Sequence, residues 1–233
     1  YIRLVNSLQK DNDDIRSSML PTIIRAVANN KRYANSYGLF EIGHIVTGMK
    51  DELAVEEQSL GVAWVVEKDS LSSGLISAKD CLQYIFEFVL KLPIKLVVAS
   101  NDKNYLCPVN YYNIVSNDTV VGEIGVVSPV VQHKVDKDKY TIVAQVNMTK
   151  VNTMSPVAYK VDKVSKFPVT TLDFNFVLEQ NEVYGKLESI ANTISTDLTY
   201  KVQLVDIFLN KEDNTKSYTV RYYVTSMEHT LSS

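Results

Sequence analysis

Residues 16–46, RSSMLPTIIRAVANNKRYANSYGLFEIGHIV, restrict the fold more than any other stretch of the chain. Leu20, Ile23, Ile24 and Val27 recur at i, i+3, i+4 and i+7, so a helix here carries one apolar face. Ser17 or Ser18 is placed to cap it, because the first four N–H groups of a helix lack intrahelical partners. Pro21 suits the first turn, where no N–H bond is lost. Lys31 and Arg32 fall in the last turn, where positive charge matches the helix dipole. Leu39, Phe40, Ile42, Ile45 and Val46 then predict a buried strand, broken at Gly43. A helix with one apolar face followed by an apolar strand implies a helix packed on a sheet.

The rest of the chain extends this pattern. Residues 1–8 alternate as a strand, 10–14 form a charged turn and 49–59 a polar surface loop. Residues 60–67 predict a core strand carrying Trp64. Ser77-x-x-Asp80 resembles a capping box, opening a helix to about Lys91 with Leu82, Ile85, Phe88, Val89 and Leu92 on one face. Pro93 ends it. Residues 94–99 predict a strand, and 104–116 with 119–127 a hairpin turning at Asn117-Asp118. Residues 139–148 alternate as a further strand.

With 233 residues the chain is long enough for one large domain or two small ones. The polar segment 151–164, with Pro156, is the best linker candidate, which divides the chain into 1–150 and 165–233. After it the pattern resets. Residues 172–178 predict a strand, 182–194 a helix with Val183, Leu187, Ile190, Ala191 and Ile194 inward, and 200–209 a strand. Residues 211–215 turn, and 218–225 form another strand, giving the order β-α-β-β.

Most catalytic constellations are absent. His44, His133 and His229 lie far apart, and none has zinc-ligand spacing to another His or Cys. There is no Gly-x-Ser-x-Gly elbow and no Walker A run, and neither Gly122 nor Gly125 is followed by a phosphate-loop lysine. No catalytic or metal-ligating residue is assigned. Cys81 and Cys107 read as two reduced, buried thiols. Lys79 reads as a solvated helix-start residue. No apolar run approaches ~18 residues, so no membrane-spanning helix is expected. The chain opens on Tyr1 and reads as an excised piece of a longer, cytoplasmic protein.

One polar constellation stands out. On the last strand Tyr218, Val220, Tyr222 and Val224 share one face, and Thr219, Arg221, Tyr223 and Thr225 the other. Asp173 and Asn175 alternate outward on the first strand of the same half. Arg221 and Tyr223 offer a phosphate or base-stacking partner, and an ordinary polar sheet face is the competing reading. The formal charge of the chain is −3, and residues 161–233 hold 7 Lys/Arg against 10 Asp/Glu. Any nucleic-acid contact here is therefore local and shape-driven.

Short motifs in a fixed order add a family resemblance. Arg16-Ser17-Ser18-Met19-Leu20-Pro21, then Asn30 and Arg32, then Leu39-Phe40-Glu41-Ile42-Gly43, resemble the beta subunit of bacterial phenylalanyl-tRNA synthetase. Gly122-Glu123-Ile124-Gly125 with Ser128-Pro129, Ser165-Lys166-Phe167-Pro168 with Asp173, and Glu228-His229-Thr230-Leu231-Ser232 continue the likeness. The resemblance implies an α+β chain. An antiparallel-sheet domain shaped like a class II synthetase core precedes a truncated ferredoxin-like, anticodon-binding domain. That fold needs one more helix and strand, and the sequence stops at Ser233.

More distantly, residues 16–46 resemble class II motifs 1 and 2. Catalytic members carry Arg-x-Glu after the strand, where this chain has Thr47, Gly48 and Met49. Nothing resembles the third, ATP-binding motif. The resemblance thus implies a non-catalytic part of a phenylalanine-tRNA ligase. The alpha subunit, its partner in an α2β2 assembly, would hold ATP and Mg, and tRNA for phenylalanine would be the nucleic-acid partner. Leu172, His229 and Cys107-Pro108-Val109-Asn110 replace basic residues usual in the family, which weakens inherited RNA contacts. The alternatives are a stand-alone RNA-binding or regulatory relative without a catalytic partner and an independent enzyme on this fold.

Overall fold

The computed structural model describes residues 2–3, 14–32, 34–157, 164–182, 184–191, 193–194, 196–210 and 212–231. The strand expected at 1–8 and the turn at 10–14 lie mostly outside these residues. β1 (Ile2–Arg3) pairs antiparallel with β2 (Asp14–Ile15), so Asp14 is extended rather than in a turn. The chain forms two compact units, residues 1–159 and 160–233.

The first unit is organised on α1 (Leu20–Asn30) and the hairpin of β3 (Tyr37–Lys50) and β4 (Leu53–Glu67). Leu20, Ile23, Ile24 and Val27 are all buried, and each contributes about 1.5–3 kcal/mol by leaving water. Pro21 sits in the first turn as expected. The capping differs from the sequence reading. Met19, not Ser17 or Ser18, is the cap position, and it has no side-chain cap of its own. Gln145 acts from across the sheet: its Oε1 accepts from Met19 N (2.6 Å) and Ser18 Oγ (2.8 Å). Ser18 Oγ in turn accepts from Leu20 N at 3.2 Å. The helix ends at Asn30, so Lys31 is its C-cap and Arg32 lies beyond the last turn.

Nor is β3 broken at Gly43. It runs unbroken through 14 residues, and the glycine has a packing cause. The Arg16 guanidinium lies where a Cβ at Gly43 would project. It donates from Nε to His44 O (2.9 Å) and from an Nη to Glu41 Oε1 (2.6 Å). The strand is only half buried because it is an edge: Phe40 and Ile42 on its outer face are exposed. The expected loop at 49–59 is instead the hairpin turn and the start of β4. Asp51 and Glu52 both take positive φ (48° and 64°), as a two-residue turn between twisted strands requires. The same geometry at Asn117 (46°) and Asp118 (58°) was legible because Asn and Asp favour it.

After a single 3-10 turn, α2 (Leu71–Gln83) continues as a π-helical segment to Leu90. It begins six residues before the Ser77 expected from the capping pattern. Gly74, a weak helix former, hid that start from the sequence. It is tolerated because the helix meets the sheet there: a Cβ would lie 3.0 Å from Val66 and 3.2 Å from Ile142. Gly74, Ala78, Leu82 and Phe86 point inward at steps of four. The wider π turn rotates the residues that follow, so Phe88 and Val89, expected inside, are exposed. Cys81 is likewise exposed and Cys107 only partly buried, which corrects the reading of two buried thiols.

β5 (Lys95–Val98), β6 (Leu106–Ser116), β7 (Thr119–Val127) and β8 (Lys139–Asn147) complete a six-stranded antiparallel sheet. Its order is β3-β4-β8-β7-β6-β5, so the strand that is late in sequence is central in space. Ala63, Val65 and Val143 meet α1 on one face, while Ile142, Ala144 and Val146 meet Ala78, Leu82 and Phe86 on the other. Both faces are thus covered. Two short helices, α3 (Pro129–Val135) and α4 (Met148–Val151), were not anticipated. Val157 N donates to Lys91 O at 2.8 Å, tying the segment after α4 to this unit.

The second unit contains β9 (Thr170–Glu179), α5 (Tyr184–Ala191), β10 (Thr199–Asn210) and β11 (Thr215–Thr225). Its antiparallel sheet has the order β10-β11-β9. Tyr218, Val220 and Val224 are buried on one face, as the alternation predicts, with Tyr218 and Val220 beside α5. Two phenols fasten the helix. Tyr218 OH donates to Glu182 O (2.9 Å) before it, and Tyr200 OH to Ala191 O (2.6 Å) at its end. Ala191 is buried, but Ile190 and Ile194, expected inward, are about half exposed beside a small apolar cavity. Val183 lies outside the described side chains. The whole chain is therefore a mixed α and β protein built on antiparallel sheets.

Candidate nucleic-acid interface

The register of the second unit brings the four candidate residues onto one sheet face. Arg221 on β11 stands opposite Asp173 on β9, with Thr219 opposite Asn175 and Tyr223 opposite Thr171. Directly opposed residues share a face in an antiparallel pair, so this face is the one turned away from buried Val220 and Tyr218.

Arg221 donates to Asp173 through both forks, Nε to Oδ1 and Nη2 to Oδ2, each at 2.7 Å. This bidentate pair fixes the plane of the guanidinium. The Arg221 hydrogen bonds hold the Asp173 carboxyl below its ordinary range. Reciprocally, Asp173 foremost and then the Tyr223 hydroxyl hold Arg221 firmly protonated. The pair is locally neutral, so Arg221 offers an oriented π plane more than an unpaired charge. Both side chains remain accessible, at 37% and 44%.

Sequence reasoning missed the residues that hold this arrangement. Tyr223 OH donates to Gln203 Oε1 (3.0 Å), and Ser217 Oγ donates to Asn175 Oδ1 (2.6 Å). Gln203 lies opposite Arg221, and Lys201 opposite Tyr223. A bulge between Leu204 and Asp206 then reverses the alternation of β10. Beyond it the even positions face outward, which places exposed Phe208 opposite Ser217 on the same face. Strict period-two counting assigns Phe208 to the wrong side. Tyr223 and Phe208 thus frame the face about 20 Å apart along the strand, at ~3.4 Å per residue. The arrangement can stack unpaired bases and hydrogen-bond their edges. It has little charge with which to attract a duplex backbone.

In the first unit an exposed aromatic pair, Tyr84 and Phe88, stacks on the π-helical segment with ring centroids 5.4 Å apart rather than on an open sheet face. Where a class II enzyme would have its charged pair, Thr47, Gly48 and Met49 complete the β3–β4 hairpin, with a bulge between Val46 and Gly48. Gly122 and Gly125 lie within strand β7, not in a loop opening a helix. Lys79 is exposed, but it lies within α2 rather than at the helix start, because the helix begins at Leu71. Among the described residues no three His, Cys, Asp or Glu side chains are grouped to hold a metal ion, and no helix is long and apolar enough to cross a membrane.

Comparison with known proteins matches both units. Residues 1–148 match the family described as phenylalanyl tRNA synthetase beta chain CLM domain, and residues 165–233 match the ferredoxin-fold anticodon binding domain. Among curated relatives, the phenylalanine–tRNA ligase beta subunit of Dehalococcoides mccartyi is 23% identical over 99% of this chain. Those of Geobacillus kaustophilus and Bacillus subtilis are 23% and 24% identical over 95% and 96% of it. In each case the chain spans 29% of the relative's length.

Proposed function

The chain belongs to the phenylalanyl-tRNA synthetase beta chain family, and from that membership we propose that it is a non-catalytic part of a phenylalanine-tRNA ligase. In this reading the first unit supports assembly with an alpha subunit, in an α2β2 enzyme whose alpha subunit holds ATP and Mg. The second unit receives the anticodon region of tRNA for phenylalanine while the tRNA is charged. The observation that carries the tRNA role is the open sheet face bearing Asp173, Asn175, Arg221 and Tyr223 within an anticodon-binding fold. The loss of catalysis rests on Thr47, Gly48 and Met49 standing where catalytic relatives carry Arg-x-Glu.

A cytoplasmic location follows from the same role. The test of assembly is co-elution of this chain with a bacterial alpha subunit on size exclusion. ATP–pyrophosphate exchange driven by phenylalanine is expected from the assembled enzyme and not from this chain alone. Exchange by the isolated chain would overturn the non-catalytic assignment. A stand-alone RNA-binding role becomes the better reading if the chain binds RNA and no alpha subunit.

A further inference from the structure

The first unit contains a polar cavity that the proposed role in tRNA charging does not use. It measures about 230 Å³ and lies on the α1 face of the sheet, over β6, β7 and β8. Its floor comes from three adjacent strands, with Asn113 opposite Glu123 and Glu123 opposite Gln145. Lys103 and Lys150 line it as well. Gly122, the site of a register shift against β6, is also in the lining, and bulges of this kind re-aim side chains beside functional sites.

The hydrogen-bond partners show which groups are already engaged. Glu123 Oε2 accepts from the Tyr111 hydroxyl at 2.6 Å and from Lys103 Nζ. The carboxylate is therefore neutralised by Lys103. Asn147 is satisfied at both ends, by Lys150 N on Oδ1 and by Glu57 through Nδ2. Gln145 gives its carbonyl oxygen to the start of α1, which fixes its amide and leaves Nε2 without a partner among the described residues. The side-chain amide of Asn113 and the ammonium of Lys150 have no hydrogen-bond or ion-pair partner among the described residues. The groups left without a partner among the described residues include the Lys150 ammonium and the amide donors of Asn113 and Gln145, all of them at least partly accessible, and one of them is a cation.

We propose that this cavity binds a small organic anion through a carboxylate or phosphate group. Lys150 supplies the charge, and Asn113 and Gln145 supply neutral donors. The volume lies below that of pockets for drug-sized ligands, so the ligand is a compact metabolite rather than a polymer. Lys103 stays with Glu123 and orders the wall. The site is independent of the RNA-binding face and would survive the failure of that reading.

The test is a titration of the 15N-labelled chain with inorganic phosphate and, separately, with acetate, at ionic strength held constant with sodium chloride. Saturable shifts are expected at the side-chain amides of Asn113 and Gln145 and at the Gly122 backbone amide, with Kd in the millimolar range. Lys150→Met weakens binding about tenfold, as loss of a charge-assisted hydrogen bond implies. Lys150→Arg retains it. Lys95→Met, which removes a remote surface lysine paired with Asp118, leaves it unchanged. Saturation by phosphate alone identifies a phosphate ester, and by acetate alone a carboxylate. Absence of saturable shifts at these three residues with both anions overturns the proposal. So does equal binding by Lys150→Met and the unsubstituted chain.

Discussion

The two sheets of this chain solve the same burial problem to different extents. In the first unit α1 and α2 cover opposite faces of six strands, and β8 at the centre is buried on both sides. In the second, one described helix lies over part of one face of three strands. Leu172 and Phe174 share that inner face with Val220 yet stay about half exposed. The outer face is polar and carries the Arg221–Asp173 pair. A sheet covered on both sides uses its side chains for packing. A sheet covered on one side leaves its other face open, and here side-chain hydrogen bonds organise that open face.

Substitutions are expected to divide along the same line. The largest effect belongs to Phe86→Ala, which empties a site only 1% exposed and should cost about 3–5 kcal/mol in the unfolding of the first unit. Chemical denaturation read at Trp64, in the first unit, checks it. Next is Gly61→Ala, whose Cβ would stand 2.9 Å from the Cβ of Met19, and overpacking there should cost about 1–3 kcal/mol. The second unit should yield less: Phe174→Thr, at a half-exposed position, should cost under about 1.5 kcal/mol by circular dichroism. A larger loss there would mean that the inner face is covered more completely than the contrast allows.

Two titratable groups, one in each unit, respond to pH in opposite directions. Tyr111 is pushed upward from 10.0 by burial first and then by its hydrogen bond to Glu123. Its folded form keeps the proton where the unfolded chain loses it. Stability is therefore level up to about pH 10 and falls above it, and Tyr111→Phe should remove that component. Asp173 moves the other way, held low by Arg221. Its contribution is present above the ordinary carboxylate pKa and is lost as pH falls through the depressed value. The effect on stability is the smallest of the set, because both partners are exposed. Carbon-detected NMR should show the Asp173 carboxyl rising to the ordinary range in Arg221→Ala.

The same contrast explains what the sequence made legible. The α1 face and the two faces of β11 were readable because burial follows one period through each element. The reading failed where geometry departs from that period. The π turn after Gln83 carried Phe88 and Val89 outward, and the bulge in β10 brought Phe208 to the outer face. It failed again where a residue answers to a distant partner. Gly43 makes room for Arg16, and the cap of α1 comes from Gln145, over a hundred positions away. The four candidate residues were found together because strand alternation alone puts them on one face. Gln203 and Ser217, which hold two of them, became visible only with the register.

In the proposed role, the outer face of the second unit would recognise RNA by stacking and shape rather than by charge. Binding of this chain to tRNA for phenylalanine across a salt series tests it most directly. A shallow dependence is expected, with log K falling about one to two units per unit of log salt, as one or two phosphate contacts require. Tyr223→Ala is expected to lose about 1–3 kcal/mol of binding at every salt concentration. A steep salt slope left unchanged by Tyr223→Ala would contradict it, and would move recognition to a charged surface elsewhere on the chain.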